Sequence, residues 1–391
     1  MTMKLAIYTE CVSPHQLPMA KEIAKFLDGG NFCNIYDHPL KQERIDMGWN
    51  ASVTEKWEIV ASERKVEVKK IVESAEVLMS SMRDLALFEH RSNVGLLTVY
   101  YGERWFKPRL GMLRLMSPSY LKMAWRFIRL LRNRNNVVYY PMGIHAAADM
   151  ARLCGLFSGD FKCLFRTPKL EFERRPGGRI WLKNDDGRAG AKYCLDKMRM
   201  WGYFVEPSKY DALPVQESAK TKPREIRVLW VGRLLNLKRV DAIVRAVGEH
   251  ANLKRVDDSL PKMTLDIYGT GPKEKSLKKM AAKYGDFIRF HPPVPISEVR
   301  RLMREHDVYV LASNGYEGWG AVVSEALEEG MKVVGTYEAG SSGTMLPKSN
   351  LFHAGDWKGL LNILRRGPQP IDADVWSAAS FAKTLVNEVC K

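Results

Sequence analysis

Two glutamates flank a glycine turn in the run NGYEGWGAVVSE at residues 314–325. The turn follows a β-rich run and opens into a helical pattern, so its glycines let the backbone approach a ligand closely. The free N–H groups and the dipole at such a helix start bind phosphate. Glu325 lies about one helical turn further on, where it can accept hydrogen bonds from sugar hydroxyls. The alternative is a plain strand-to-helix turn in which Glu317 and Glu325 are solvated.

A basic pair, Arg233 and Lys238, follows another β-rich run in the sequence VGRLLNLK at residues 231–238. A diphosphate leaving group gains negative charge as its bond to a sugar breaks, and a positioned Arg and Lys stabilise that charge without a metal. Single surface cations carry little information, but this pair at a strand tip predicts a diphosphate clamp. No His-rich or Asp-x-Asp cluster has ligand spacing, so we predict no metal.

The elements that must position these residues follow from the hydrophobic pattern. Short β-rich runs alternate with helical segments, which is typical of a parallel sheet with crossover helices. The pattern is clear in the second half and weaker in the first. The predicted strands are residues 4–9, 32–36, 76–80, 95–100, 137–141, 227–232, 263–269, 287–291, 307–313 and 331–336.

The predicted fold class is α/β, with two Rossmann-like, doubly wound domains that face each other across a cleft. Open α/β sheets bind ligands at the carboxyl ends of their strands, so we expect the motifs to cluster there. The linker carries three prolines without apolar periodicity. The predicted segments are an N-terminal domain at 1–205, a linker at 206–225, a C-terminal domain at 226–370 and a helix at 371–391 that can return to the N-terminal domain.

Composition sets further limits. The 391 residues include 61 Lys and Arg against 45 Asp and Glu, a formal charge of +16, which favours an anionic partner. Ordinary apolar and aromatic content excludes disordered and collagen-like classes. No signal peptide or membrane-spanning run is recognised. The six cysteines contain no C-x-x-C pair, so we expect reduced thiols in a cytoplasmic protein.

These motifs together resemble the family 4 retaining glycosyltransferases, which have the two-domain GT-B fold. The resemblance covers about residues 226–355 strongly and the first half weakly, so it is specific for the donor side. The motifs that carry it are the two glutamates around the glycine turn, Gly232-Arg233 with Lys238, and Tyr268-Gly269-Thr270-Gly271-Pro272.

The resemblance implies roles for the residues that match. Glu317 would hold hydroxyls of the donor sugar, Glu325 would hold the ribose, and Arg233 with Lys238 would hold the diphosphate of a UDP-sugar or GDP-sugar substrate, with no separate cofactor. The run His291-Pro292-Pro293-Val294 would seat the nucleobase, or is a proline-stiffened loop. The remaining residues expected around the nucleotide are Gly269, Val294, Gly318, Trp319, Gly320, Ala321 and Val322.

The first half departs from the family at two places. The loop at residues 10–18 lacks the glycine pair that members often carry; His15 there can serve acceptor or phosphate, or the loop simply caps a helix. Many relatives have a histidine after the strand where this chain has Glu103. That glutamate is expected as an acceptor-side base or hydrogen-bond partner, or as an ion-pair partner of Arg104 or Lys107. The departing phosphate itself is thought to assist the incoming hydroxyl in such enzymes, which makes a dedicated base dispensable.

Residues 104–148 contain nine basic and no acidic side chains. Lys122, Arg126, Arg129 and Asn133 recur on one face of a predicted helix. A basic amphipathic helix suits an anionic membrane surface, at about 1 kcal/mol for each basic residue near the headgroups. The alternative is a core-packed helix whose solvent face is basic.

The leading hypothesis is a cytoplasmic, peripheral-membrane hexosyltransferase. It would move a sugar, with retention and without a metal, from a nucleotide-diphosphate sugar to a lipid-linked glycan in cell-surface polysaccharide synthesis. One alternative is a DNA-modifying glucosyltransferase, for which the positive charge would supply phosphate contacts. Another is a non-catalytic membrane or nucleic-acid binding module. Because no recognised nucleic-acid motif is present, we do not expect nucleic acid as a partner.

Overall fold

The computed structural model describes residues 3–27, 30–40, 42, 45, 53–106, 110–166, 168–183, 189–208 and 225–389. The chain divides into an N-terminal unit, residues 1–206 with 374–391, and a C-terminal unit, residues 207–373. Most of the predicted linker, residues 209–224, lies outside the described residues.

The N-terminal unit is built on a six-stranded parallel sheet. Its strands are almost entirely buried because they are short apolar runs covered on both faces, as parallel sheets require. The spatial order is β3-β2-β1-β4-β5-β6. The strands are β1 (Leu5–Cys11), β2 (Phe32–His38), β3 (Glu58–Val60), β4 (Val77–Ser80), β5 (Leu97–Gly102) and β6 (Val137–Pro141).

Helices connect these strands, and two of them start at side-chain caps. Asp84 accepts a hydrogen bond from the N–H of Leu87, and Ser117 accepts one from the N–H of Tyr120. A small antiparallel pair, β7 (Leu170–Phe172) and β8 (Ile180–Leu182), follows the sheet. The helices of this part are α1 (Leu17–Phe26), α2 (Lys65–Ser74), α3 (Leu85–Asn93), α4 (Pro118–Asn133), α5 (Ile144–Leu156) and α6 (Ala189–Leu195).

The C-terminal unit repeats the same architecture. Its parallel sheet has the order β11-β10-β9-β12-β13-β14. The strands are β9 (Glu225–Val231), β10 (Lys262–Tyr268), β11 (Ile288–His291), β12 (Val308–Leu311), β13 (Lys332–Thr336) and β14 (Leu351–Phe352). The helices are α7 (Val240–Val256), α8 (Glu274–Ala281), α9 (Ile296–Glu305), α10 (Val322–Glu328), α11 (Gly340–Met345) and α12 (Trp357–Arg366).

The last helix, α13 (Ala378–Val389), belongs to the core of the N-terminal unit. Phe381 lies edge-on to Trp201, with ring centroids 4.8 Å apart, and stacks on Phe204 at 5.2 Å. The same apolar cluster contains Met19 and Ile23 of α1. The predicted α/β class with two Rossmann-like sheets is confirmed.

Two cysteines depart from the sequence expectation. Cys154 of α5 and Cys194 of α6 form a disulfide, so the expectation that all cysteines are reduced is wrong for this pair. Their Cα atoms are 6.6 Å apart although 40 positions separate them in the chain, and that distance depends on how α5 packs on α6. Cys11, Cys33 and Cys163 are not in disulfides, and Cys390 lies outside the described residues.

One buried cation stabilises the N-terminal sheet. Arg91 of α3 is fully buried and donates hydrogen bonds to the carbonyls of Val72, Ala75 and Leu97 and to the hydroxyl of Thr98. Burial lowers the pKa of Arg91 to about 10, so the guanidinium stays protonated at neutral pH. It ties α2 and α3 to the start of β5.

We predict that Arg91→Met destabilises the protein, because several buried acceptors lose their donor. Each buried acceptor left unsatisfied costs about 1–3 kcal/mol, so a loss of roughly 3 kcal/mol is expected. Thermal unfolding followed by circular dichroism should show a melting temperature lower by several degrees. The control Arg166→Met changes an exposed arginine and should leave the melting temperature unaltered. Equal stability of the two variants would contradict the role assigned to Arg91.

Candidate functional site

Three loops meet at the carboxyl edge of the C-terminal sheet. The N–H of Gly232 donates to the carbonyl of Tyr268 (3.0 Å), and the N–H of Gly269 donates to the carbonyl of His291 (3.2 Å). Gly269 has a φ of +142°, and a Cβ there would collide with the carbonyl oxygen of Gly232. Glycine is therefore required for the loops after β9, β10 and β11 to lie together.

An ion pair joins the two predicted donor motifs. The ammonium of Lys238 lies 2.5 Å from Oε2 of Glu317, and the hydroxyl of Ser313 donates to the same oxygen at 2.9 Å. The side chains of Lys238 and Glu317 are 23% and 14% exposed, so salt screens the pair only weakly. The N–H of Asn314 donates to the carbonyl of Leu237, which connects the two turns through the backbone.

The glycine turn is held by the start of α11. The N–H of Gly340 donates to the carbonyl of Gly318 (3.1 Å), and the N–H of Ser341 donates to that of Trp319 (2.8 Å). The hydroxyl of Ser341 donates to the carbonyl of Gly320, which has a φ of +85° that favours glycine. The side chain of Trp319 is buried, so it anchors the turn from the interior.

Both predicted carboxylates lie near one buried phenol. Burial raises the pKa of the Glu325 carboxyl, and the charge of Arg300 opposes that rise. Burial also raises the pKa of Tyr309, and the charges of Glu325 and Glu317 raise it further. The Tyr309 hydroxyl donates to the carbonyl of Val231 at 3.2 Å. The structure therefore brings Glu317 and Glu325 into electrostatic range of the same tyrosine on β12.

The other predicted donor residues lie on the same three loops or at the helix start. The Arg233 side chain is exposed directly after Gly232, and Val294 is half-buried in the loop after β11. Ala321 is the N-cap of α10, and Val322 is its first residue. Their roles toward a ligand stay predictions.

Sequence reasoning missed a charged cluster on β10 and β11. Asp266 accepts two hydrogen bonds from Arg289 (2.8 and 2.6 Å), one from His291 (2.6 Å) and one from His306 (3.3 Å). Burial alone would raise the pKa of Asp266, but these hydrogen bonds outweigh it and hold that pKa well below its usual range. The Tyr268 ring stacks on His291 at 4.3 Å. The available signal was an aspartate inside the apolar run MTLDIYG.

In the N-terminal unit, the structure brings His15 and Glu103 to a common partner. The hydroxyl of Tyr203 donates to Oε1 of Glu103 at 3.1 Å, and its ring stacks on His15 with centroids 5.4 Å apart. The N–H of Phe204 donates to the carbonyl of His15. Tyr203 lies 100 positions from Glu103 in the chain, so no spacing pattern could have indicated it.

Acids from neighbouring elements compensate part of the acid-free segment. Arg126 pairs with Glu89 at 2.7 Å, and Arg104 pairs with the buried Asp149 at 3.1 Å. Arg104 thus has a carboxylate partner other than Glu103. Lys107 and Arg109 lie outside the described residues.

Two further kinds of feature are absent from the described part of the chain. Across these ranges, no group of three or more His, Cys, Asp or Glu side chains is arranged to hold a metal ion. None of the helices in the described ranges is both long and apolar enough to span a bilayer.

The architecture matches solved glycosyltransferase structures over nearly the whole chain. The structure of Alr3699/HepE from Anabaena with UDP has a TM-score of 0.54 at 13% identity and covers 100% of this chain and 96% of that one. A structure described as trehalose-6-phosphate from E. coli bound with UDP-2-fluoro glucose has a TM-score of 0.54 at 9% identity, with 99% of each chain covered. The apo structure of the lipopolysaccharide outer core galactosyltransferase WaaB has a TM-score of 0.52 at 12% identity. It covers 99% of this chain and 95% of that one. The fold is GT-B.

Residues 225–365 match the family described as glycosyl transferases group 1. The GtfA subunit of the UDP-N-acetylglucosamine–peptide N-acetylglucosaminyltransferase of Streptococcus gordonii is 31% identical over 146 residues, which cover 33% of this chain and 27% of that protein. The Streptococcus pneumoniae subunit is 28% identical over 134 residues, which cover 32% of this chain and 25% of that protein. The matched part is thus about a quarter of the length of these curated relatives.

We predict that Glu325→Gln stabilises the protein increasingly as the pH rises. Because the folded-state pKa of Glu325 lies above its unfolded value, near 4.3, ionisation of this carboxyl disfavours the folded state above that pH. The melting-temperature gap between variant and wild type should therefore be small at about pH 4 and grow toward about pH 7, by roughly 2–4 °C for each kcal/mol removed. The control Asp286→Asn, at an exposed site, should show no such growth. A melting-temperature gap that shrinks as the pH rises would contradict the claim that burial disfavours the ionised carboxylate of Glu325.

Proposed function

We propose that the chain is a retaining glycosyltransferase of the family 4 type that takes a hexose from a nucleotide-diphosphate sugar. The observation that carries this proposal is the Lys238–Glu317 pair beside the glycine loops, within residues 225–365. It supplies a cation for a diphosphate and a carboxylate for sugar hydroxyls in one place.

The comparisons favour UDP over GDP in the donor. Two solved structures with a TM-score of 0.54 hold UDP or UDP-2-fluoro glucose, and the streptococcal relatives are named for UDP-N-acetylglucosamine. The ribose of this donor is held by Glu325, which lies in the first turn of α10, directly after the glycine turn. The nucleobase lies at the loop around Val294, next to the stacked Tyr268–His291 pair.

Donor binding changes the partners of Lys238. In the structure, its ammonium is neutralised by Glu317. A β-phosphate takes over that ammonium together with the exposed Arg233, and the Glu317 carboxylate then accepts hydrogen bonds from sugar hydroxyls. As the bond between the anomeric carbon and the phosphate oxygen breaks, the two cations stabilise the leaving diphosphate. This charge compensation makes the reaction independent of a metal.

The acceptor binds at the carboxyl edge of the N-terminal sheet, where Tyr203 joins His15 and Glu103. Glu103 accepts a hydrogen bond from the incoming hydroxyl, and Tyr203 holds that carboxylate in place. The leaving phosphate takes the proton on the same face, so the anomeric configuration is retained. We propose a lipid-linked glycan of cell-surface polysaccharide synthesis as the acceptor, a choice supported by the structural similarity to the lipopolysaccharide outer core galactosyltransferase WaaB.

The exposed side chains of the segment around α4 support binding to a membrane surface. Leu113, Met116 and Trp125 are 63%, 79% and 45% exposed, and the exposed Lys122 and Arg129 accompany them. Apolar side chains next to uncompensated cations suit the interface of an anionic bilayer. We propose that this face holds the enzyme at the membrane as a peripheral protein.

We predict that Lys238→Met and Glu317→Gln each lower kcat for UDP release from a UDP-sugar at least about 100-fold, since each removes charge or hydrogen bonding at the reacting centre. A screen of UDP- and GDP-sugars by thermal shift identifies the donor first. The control Lys275→Met removes an exposed lysine of α8 and should keep wild-type kcat.

EDTA should leave the rate of UDP release unchanged, and NMR of the product should show the donor's anomeric configuration. Unchanged kcat in both site variants would refute the proposal.

We predict that Trp125→Glu weakens co-sedimentation with vesicles of phosphatidylcholine and phosphatidylglycerol by at least about fivefold. The change places a negative charge among the exposed apolar side chains. Trp181→Glu is the matched control, because the Trp181 side chain is similarly exposed, at 42%, but lies on β8. Equal loss in both variants would contradict a specific membrane face.

A further inference from the structure

Arg83 lies in the loop after β4, at the carboxyl edge of the N-terminal sheet. Its guanidinium carbon is 3.9 Å from the centroid of the Trp105 ring, and its Nε donates to the hydroxyl of Tyr100 at 2.9 Å. Its Nη1 donates to Sδ of Met123 at 4.0 Å. The aromatic surface fixes the plane of the guanidinium and leaves Nη2 for another acceptor.

Arg114, in the short 3-10 turn Gly111–Met116, approaches the same place. Its guanidinium carbon lies 5.9 Å from the centroid of the Tyr120 ring, whose hydroxyl donates to the carbonyl of Trp105 at 2.6 Å. Burial raises the pKa of Tyr120, and the charges of Arg83 and Arg114 both oppose that rise. The two guanidiniums therefore converge near this one phenol.

Neither arginine has a compensating carboxylate within the described ranges, where no ion pair of Arg83 or Arg114 occurs. The nearby Asp149 is already held by Arg104 (3.1 Å) and by the N–H of Phe106 (3.0 Å). Moreover, Nε of Arg114 is buried and has no hydrogen-bond partner in the described structure. A buried donor without an acceptor is costly, which points to an acceptor that a ligand supplies.

The chemistry of the pair selects the ligand. Two guanidiniums offer forked N–H donors that match the oxygens of a phosphate, and they carry two positive charges. Arg83 follows β4, and Trp105, on which its guanidinium lies, follows β5, so the pair is at the sheet edge where open α/β sheets bind ligands. A phosphate there would satisfy the buried Nε and neutralise both cations.

We propose that Arg83 and Arg114 bind a phosphate group of the acceptor substrate. The assignment to an acceptor rests on the proposed transferase function, whereas phosphate binding by the pair does not. The sugar that receives the new bond is then part of a phosphorylated molecule, either a soluble sugar phosphate or a lipid phosphate.

The test is calorimetric titration of the full chain with inorganic phosphate and with glucose 6-phosphate. It is carried out in the Arg233→Ala, Lys238→Ala background, which removes the cations of the proposed donor site. We expect saturable binding of both probes. Arg114→Gln and Arg83→Gln should each raise Kd at least tenfold, and Arg114→Lys should recover part of the affinity.

The matched control is Arg174→Gln, because the Arg174 guanidinium also lies over an aromatic ring, that of Phe172 at 5.0 Å. Its Kd should stay within twofold of the parent. Absence of binding, or equal effects in the control and in both site variants, would overturn the proposal. Since Arg83 also packs on Trp105, Arg114→Gln decides the matter if Arg83→Gln does not fold.

Two further measurements separate the sources of phosphate and the two proposals. Vesicles containing phosphatidic acid that bind wild type but not Arg114→Gln assign the group to a lipid, whereas binding of glucose 6-phosphate alone assigns it to a soluble molecule. If the wild type turns over no nucleotide sugar but Arg114→Gln still abolishes phosphate binding, the transferase function fails and the phosphate site stands. If turnover is present and phosphate binding is insensitive to both arginines, only the present inference fails.

Discussion

The candidate donor site depends on one partly buried ion pair, between Lys238 and Glu317. The two residues come from turns after different strands, and the hydrogen bond from Asn314 to the carbonyl of Leu237 joins those turns through the backbone. The ammonium and the carboxylate neutralise each other's charge by direct contact. Either partner can then be transferred to a ligand without creating an isolated buried charge, which is the costly alternative.

Polar groups at a sheet edge need partners in the N-terminal unit as well. The partners there are of a different kind. There the carboxylate of Glu103 is held by a phenol, and Arg83 rests on Trp105. The C-terminal edge thus carries an ammonium and a carboxylate in contact, whereas Arg83 and Arg114 of the N-terminal unit form no ion pair within the described residues. That contrast is what separates a proposed donor site from a proposed acceptor site.

Much of the fold could be predicted from the sequence because apolar runs alternate with helical periodicity. All ten predicted strands correspond to strands of the two sheets, and the short edge strands β3 and β14 were missed since three and two residues carry no periodicity. The sequence could indicate that Lys238 and Glu317 lie close together, because both motifs are local turns that follow strands. Tyr203, Asp266 and the Cys154–Cys194 disulfide were not, because their partners are set by packing between distant segments.

The return of α13 to the N-terminal unit means that this unit is not a continuous stretch of chain. A truncation that stops before residue 374 removes Phe381 and leaves the aromatic faces of Trp201 and Phe204 open to water. The closing segment is synthesised after the second unit, so the core of the first sheet is complete only once that unit has been translated. Folding of the amino-terminal half is thereby coupled to the synthesis of the second unit.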